Sequence, residues 1–100
     1  MSRDLARRTL VAYDVPDDKR RLRLAKCLET YGDRVQYSVF VIDCSPAKLA
    51  RLSDDIEEII RSEEDSVLLC DLGLVMSLSD KVFRYIGRSR DVTDDEAIVL

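Results

Sequence analysis

The chain contains no histidine. That absence removes the imidazole general acid or base, the Ser-His-Asp arrangement and the histidine metal ligand. Cysteine is scarce. Cys27, Cys44 and Cys70 are odd in number, widely spaced and form no CxxC pair, so neither a disulfide framework nor a zinc site is expected, and all three read as ordinary reduced, partly buried thiols. Any metal chemistry would therefore rest on carboxylates and a hard ion such as magnesium or manganese. Long apolar runs are also missing: none approaches the roughly 20 residues of a membrane helix. The opening MSRDLARRTL is charged without an apolar h-region, so a cytoplasmic protein with no membrane partner is expected. Three glycines, at 32, 73 and 87, give little support to a glycine-rich ligand loop.

What the chain does have is one domain's worth of core. It is 100 residues long, 46% hydrophobic and 36% charged, and a chain of this size buries about 65% of its extended surface on folding. Neither a disordered tail nor a membrane protein fits that balance. The net charge of −4 conceals an asymmetry. Residues 1–50 carry ten Lys/Arg against seven Asp/Glu, a net of +3, and residues 51–100 carry six against thirteen, a net of −7. Basic residues cluster at Lys19, Arg20, Arg21, Arg23 and Lys26, with Arg3, Arg7 and Arg8 as a second group. Such a face suits nucleic-acid contact or a solvated, acid-balanced helix.

Hydropathy patterning divides the chain into strands and helices. Residues 1–8 read as a polar lead-in. Thr9–Tyr13 is a β-prone run with Asp14 at its C-terminal tip, and Pro16 holds Val15 extended. Asp17 or Asp18 can cap the next helix, with Asp18 the preferred reading. Leu24, Cys27, Leu28 and Tyr31 fall at i, i+3, i+4 and i+7, predicting a helix from Lys19 to Tyr31, with Gly32 as its C′ residue. Arg34–Ile42 alternates as one strand: Val35, Tyr37, Val39 and Val41 point one way, Gln36, Ser38, Phe40 and Ile42 the other. Phe40 in that mixed set predicts a partly covered face such as a subunit interface.

Ser45-Pro46 is a helix start, and Leu49, Leu52, Ile56, Ile59 and Ile60 continue it to about Arg61. Its outward Asp54, Asp55, Glu57 and Glu58 are acidic. Val67–Leu72 is a further strand, Gly73–Lys81 is ambiguous, and Val82–Ile86 reads as a short strand ended by Gly87. Residues 88–96 are polar, and Ala97–Leu100 is a candidate terminal strand. The order predicts an α/β (α+β) sandwich with both helices on one face of a small sheet, as in ferredoxin-like folds. The uncovered face favours dimerisation.

Residues 9–41, TLVAYDVPDDKRRLRLAKCLETYGDRVQYSVFV, resemble the small CRISPR-associated adaptation protein family, the non-integrase partner in spacer acquisition. The resemblance joins Tyr13-Asp14-Val15, the helix opening Asp18–Leu24, the segment Tyr31–Phe40 and Ser45-Pro46, in order and at the right spacing. It covers about residues 9–72, with weaker support through Gly87. It implies a ferredoxin-like βαββαβ core at 9–87 and a tail at 88–100 whose C-terminal strand pairs across a homodimer. It also implies that Arg34–Ile42 forms two strand pieces rather than one. The family bridges integrase dimers and supports a duplex DNA protospacer, and some members are metal-dependent nucleases acting on single-stranded RNA or duplex DNA. By position the resemblance makes Asp14 the metal-binding aspartate, for Mg²⁺ with Mn²⁺ as substitute, paired with its copy across the dimer axis. Arg21, Arg23, Arg34, Ser38 and Phe40 match residues of the central cleft. The chain departs from many relatives at its extra N-terminal residues, its acidic second half and Cys70-Asp71-Leu72.

Under that resemblance the catalytic set is Asp14, Ser38 and Arg34. Ser38 would hydrogen-bond phosphate or a water, and Arg34 would offset developing charge. Lys19, Arg20, Arg21 and Arg23 are the candidate nucleic-acid contacts, with solubility and internal ion pairs as the competing explanation. Tyr37 and Phe40 are the candidate interface or cleft residues, and Tyr13 and Tyr37 also read as sheet packing. The alternatives are a toxin-like metal-dependent endoribonuclease and a non-catalytic ferredoxin-like oligomerisation module.

Overall fold

Alternation of buried and less buried residues along Thr9, Leu10, Val11, Ala12 and Tyr13 makes the first strand the middle of the fold. In the computed structural model, which describes residues 5–79 and 82–89, β1 runs Arg7–Asp14, α1 Asp18–Glu29, β2 Asp33–Gln36, β3 Val39–Cys44, α2 Pro46–Ile59 and β4 Ser66–Leu74. A 3-10 turn at Val75–Ser77 follows. The four strands form one sheet in the order β2-β3-β1-β4, with every neighbouring pair antiparallel. This is the ferredoxin-like βαββαβ arrangement. No helix among the described residues is long and apolar enough to cross a membrane.

The core lies between one face of this sheet and the two helices. Val11 of β1, Phe40 and Ile42 of β3, Leu24 and Leu28 of α1, and Leu52 of α2 are fully buried. Tyr13 stacks near Phe40, with ring centroids 6.3 Å apart. The opposite face presents Leu10, Ala12, Val39 and Val41, which are half-buried, and the exposed Leu68. Near Leu10 and Val39 it is approached by Phe83, Tyr85 and Ile86.

Several sequence-based expectations change here. β1 begins at Arg7, two residues early, because Arg7 pairs with Asp71 at 3.0 Å and Arg8 with Asp43 at 2.8 Å. These two arginines belong to the sheet, not to a lead-in. Asp17, not Asp18, caps α1 by accepting from the Arg20 amide at 2.9 Å, and Asp18 instead pairs with Arg21. Ser45 caps α2 as expected, accepting from the Lys48 amide at 3.2 Å.

Residues 34–42 form two strands around a tight turn at Tyr37-Ser38, with a register shift between Arg34 and Gln36. The shift puts Phe40 and Ile42 on the helix side with Val11 and Thr9. Phe40 is 0% exposed, so it is core and not a half-covered interface ring. β4 is longer than expected and absorbs Gly73 and Leu74. Val82–Ile86 forms no strand within the chain. Ala97–Leu100 and most of 88–96 lie outside the described residues.

Gly32 is also not a left-handed helix cap, since the glycines with positive φ are Gly73 and Gly87. Thr30 caps α1. A Cβ at Gly32 would meet the Val41 carbonyl oxygen at 2.2 Å and Ile42 Cδ1 at 2.6 Å. The glycine lets the chain leaving α1 press against β3. We expect Gly32→Ala to destabilise the fold by about 1–3 kcal/mol through overpacking, measured by urea unfolding; an unchanged midpoint would refute the close approach.

Candidate functional site

The C-terminal end of β1 and the β2–β3 turn meet at one end of the sheet. The Tyr13 amide donates to the Ser38 carbonyl at 3.1 Å, which pins the turn beside Asp14. The Tyr13 hydroxyl donates to the Tyr37 carbonyl at 3.5 Å and accepts from Arg34 Nη2 at 3.3 Å. Arg34 is further held by its neighbours' rings, its guanidinium carbon lying 5.1 Å from the Phe40 centroid and 5.8 Å from that of Tyr37. Its Nε is buried without a hydrogen-bond partner. No carboxylate pairs with Arg34 among the described residues.

Arg21 reaches the same end from the first turn of α1. Its Nη1 donates to the carbonyls of Val15 at 2.9 Å and Pro16 at 3.3 Å, and its Nη2 pairs with Asp18. The Asp18 contact pushes the guanidinium above its already high ordinary value and so keeps it protonated. Asp14 is exposed and has no ion pair or hydrogen-bonded side-chain partner among the described residues. Asp14, Ser38, Arg34, Tyr37 and Arg21 thus lie at the same end of the sheet.

The other basic residues separate. Lys19 and Arg23 are exposed on α1. Arg20 is consumed inside the chain: its Nε donates to Asp65 Oδ2 at 2.8 Å, and its Nη2 donates to Asp65 Oδ1 at 3.1 Å and to Glu64 Oε1 at 2.8 Å. Asp65 also accepts from the Arg61 amide at 2.8 Å. That bidentate geometry offsets the cost of taking the carboxylate out of water. Sequence reasoning missed Asp65 because nothing in SEEDS distinguishes one acid from its neighbours. It also missed Tyr13 as the group that orients Arg34. Of the thiols, Cys44 is buried and Cys27 half-buried, and desolvation pushes both up, but Cys70 is exposed.

A divalent ion fits this site only as half of one. The described residues contain no group of three or more His, Cys, Asp or Glu able to hold a metal. Asp14 offers one unpaired carboxylate, whereas magnesium is held through one or two carboxylates with waters and phosphate oxygens completing the shell. A second Asp14 from another copy would supply the missing ligand.

Residues 7–74 match the family described as "CRISPR associated protein Cas2". This chain belongs to the Cas2 family. It is 50% identical over 58 residues to a CRISPR-associated endoribonuclease Cas2 of Synechocystis, a match covering 58% of this chain and 63% of that protein. The match therefore spans less than two thirds of that relative's length. A second relative of the same description, from Geobacter sulfurreducens, is 31% identical over 91 residues, covering 91% of this chain and 95% of its own. The crystal structure of Streptococcus pyogenes Cas2 superposes with a TM-score of 0.63 at 35% identity, covering 66% of this chain and 86% of that one. Within this Cas2-family chain, the matched region includes Asp14, Arg21, Arg23, Arg34, Ser38 and Phe40.

The Arg20–Asp65 pair has a pH signature. The guanidinium first, then the Arg61 amide, hold the Asp65 carboxyl below its ordinary value of 3.8. A carboxylate depressed in the folded state stabilises it above the unfolded value, and that contribution is lost as pH falls through the depressed one. Asp65→Asn should therefore lower the Tm at pH 7 by several degrees. It should also flatten the fall in Tm below about pH 4, where the wild type is still losing this contribution. A thermal-melt series across acid pH checks both, and parallel curves for the two proteins would refute the assignment.

Proposed function

We propose that this Cas2-family chain is a CRISPR adaptation subunit of the cytoplasm. It dimerises, bridges integrase subunits and supports duplex DNA during spacer acquisition. The observation that carries this reading is the apolar sheet face opposite the helices, which Phe83, Tyr85 and Ile86 approach at only one part. Leu10, Ala12, Val39, Val41 and Leu68 form an apolar surface opposite the helices, and such a surface is stabilised by a second copy. A two-fold contact there would present both Asp14 ends, with Arg34 and Arg21 behind them, as one basic-backed platform for a phosphate backbone. The exposed acids Asp54, Glu57 and Glu58 of α2 offer complementary charge to a basic integrase surface.

A second reading, metal-dependent phosphodiester cleavage, is supported by the endoribonuclease descriptions of the relatives and by the unpaired carboxylate of Asp14. A Mg²⁺ or Mn²⁺ ion shared by two Asp14 carboxylates would supply Lewis acidity toward the scissile phosphate of duplex DNA or single-stranded RNA. Ser38 would donate its hydroxyl proton to a phosphate oxygen. The Arg34 guanidinium, already oriented by Tyr13, would stabilise negative charge developing there.

Two substitutions separate these parts. Leu68 is 60% exposed, so Leu68→Glu leaves the core intact and should weaken the dimer at least about tenfold; a dimer of unchanged stability by light scattering would refute the sheet-face contact. Asp14→Ala should abolish magnesium- or manganese-dependent cleavage, by about a hundredfold or more, while the protein still elutes as a dimer. Equal cleavage by both proteins would refute Asp14 chemistry, and no cleavage by either would leave the adaptor role alone.

A further inference from the structure

Arg20 and Arg21 are consecutive in α1, yet they sit in opposite kinds of ion pair. The Asp65 side chain that holds Arg20 is 0% exposed, so it has no solvent to swing into. The Asp18 side chain that holds Arg21 is 89% exposed, and that of Arg21 itself 27%. On the other arm of the Arg21 guanidinium, Nη1 donates to the Val15 carbonyl at 2.9 Å and to the Pro16 carbonyl at 3.3 Å. Those two residues directly follow Asp14. Arg21 is therefore fixed to the loop at the end of β1 by backbone acceptors, and only its Nη2 depends on a carboxylate.

The two arms differ in how easily they let go. The bond to Val15 is part-buried, and a carbonyl shielded from water does not readily give up its donor. An exposed ion pair at i, i+3 contributes little, because both ends are well solvated when they separate. Asp18 is thus free to rotate into solvent while Val15 and Pro16 keep the guanidinium in place. The group that best replaces it at Nη2 is another oxyanion, and phosphate accepts guanidinium hydrogen bonds as a carboxylate does. Arg20 has no such exchange open to it. Arg34 has no paired carboxylate to exchange among the described residues.

We propose that Asp18 stands in for a backbone phosphate at Arg21. It holds Nη2 in the free protein, is displaced when a duplex phosphate arrives, and returns as the duplex leaves. The inference rests on reading the Asp14 end of the fold as a duplex platform, and it adds the residue that sets how tightly that platform holds. A protein that receives a duplex and passes it on needs release as well as capture. An exchangeable carboxylate lowers affinity and speeds release while leaving the arginine in position.

The test is a double-mutant cycle on the full chain, read by fluorescence anisotropy with a labelled blunt duplex. Asp18→Asn should tighten duplex binding about threefold to fivefold. The slope of log affinity against log salt should also steepen by about 0.9 for each Arg21 released from its carboxylate. In an Arg21→Gln background the same change should shift affinity by less than about 1.5-fold, with circular dichroism confirming that each variant is folded. An equal gain in both backgrounds would mean that Asp18 acts through its long-range field and would overturn the exchange, as would no gain at all. NMR of the Arg21 side chain during a pyrophosphate titration needs neither the glutamine variant nor the duplex. Its Nη resonances should respond at severalfold lower pyrophosphate in Asp18→Asn than in wild type, and identical titrations would overturn the proposal. Absence of duplex binding by every protein in the cycle, with that pyrophosphate difference intact, would instead refute the platform and leave the Asp18–Arg21 exchange standing.

Discussion

β1 is hydrogen-bonded along both edges, to β3 on one side and to β4 on the other. A strand in that position has no freedom to slip, because a shift of one residue would carry Val11 and Tyr13 from the core to the outer face and bring Leu10 and Ala12 in. Its register therefore fixes everything attached to its end. Asp14 emerges where β1 leaves the sheet, and the Tyr13 amide takes hold of the β2–β3 turn through Ser38. The position of the candidate site follows from core packing rather than from interactions within the site.

The arginines sort into those already used and those left free. Arg7, Arg8 and Arg20 are paired with Asp71, Asp43 and Asp65; they join strands to one another and α1 to the loop before β4. Arg20 is the deepest case, since the Asp65 side chain is fully removed from solvent. Arg34 differs: it is held by Tyr13, Tyr37 and Phe40, with no carboxylate paired to it among the described residues. An arginine positioned by rings and a hydroxyl keeps its charge available to an incoming anion, whereas one positioned by acids does not. A count of basic residues along α1 treats Arg20 and Arg23 as equivalent, and the fold separates them: Arg20 is paired with Asp65, while Arg23 is exposed with no ion pair among the described residues.

Much of the fold was legible from patterning. The i, i+3, i+4, i+7 stripe of α1, the Ser45-Pro46 start of α2 and the alternation of β1 each reflect a local requirement, and local requirements are written in consecutive residues. The placement of Asp14 at the C-terminal end of β1 was legible too. What strict alternation got wrong was residues 34–42. A bulge at Val35 and a two-residue turn break the period of two, so Phe40 moves from a surface reading to the centre of the core. Gly32 was read as a cap because caps are local, while its real constraint is the carbonyl of Val41 on a different element.

By itself, then, the sequence determined both helices, β1 and the position of β4, the lack of imidazole chemistry and the residues from which a site could be drawn. These depend on side-chain identity and short-range geometry. Tertiary structure alone decided which charges are spent, through Asp65 closing on Arg20 across 45 residues. It decided that Arg34 stands beside Tyr13 with no ion pair among the described residues, and that Tyr37 and Arg88 share a cleft without an acid in its described lining. Those outcomes depend on distances between residues far apart in the chain, and only the packing of the sheet against its helices sets such distances.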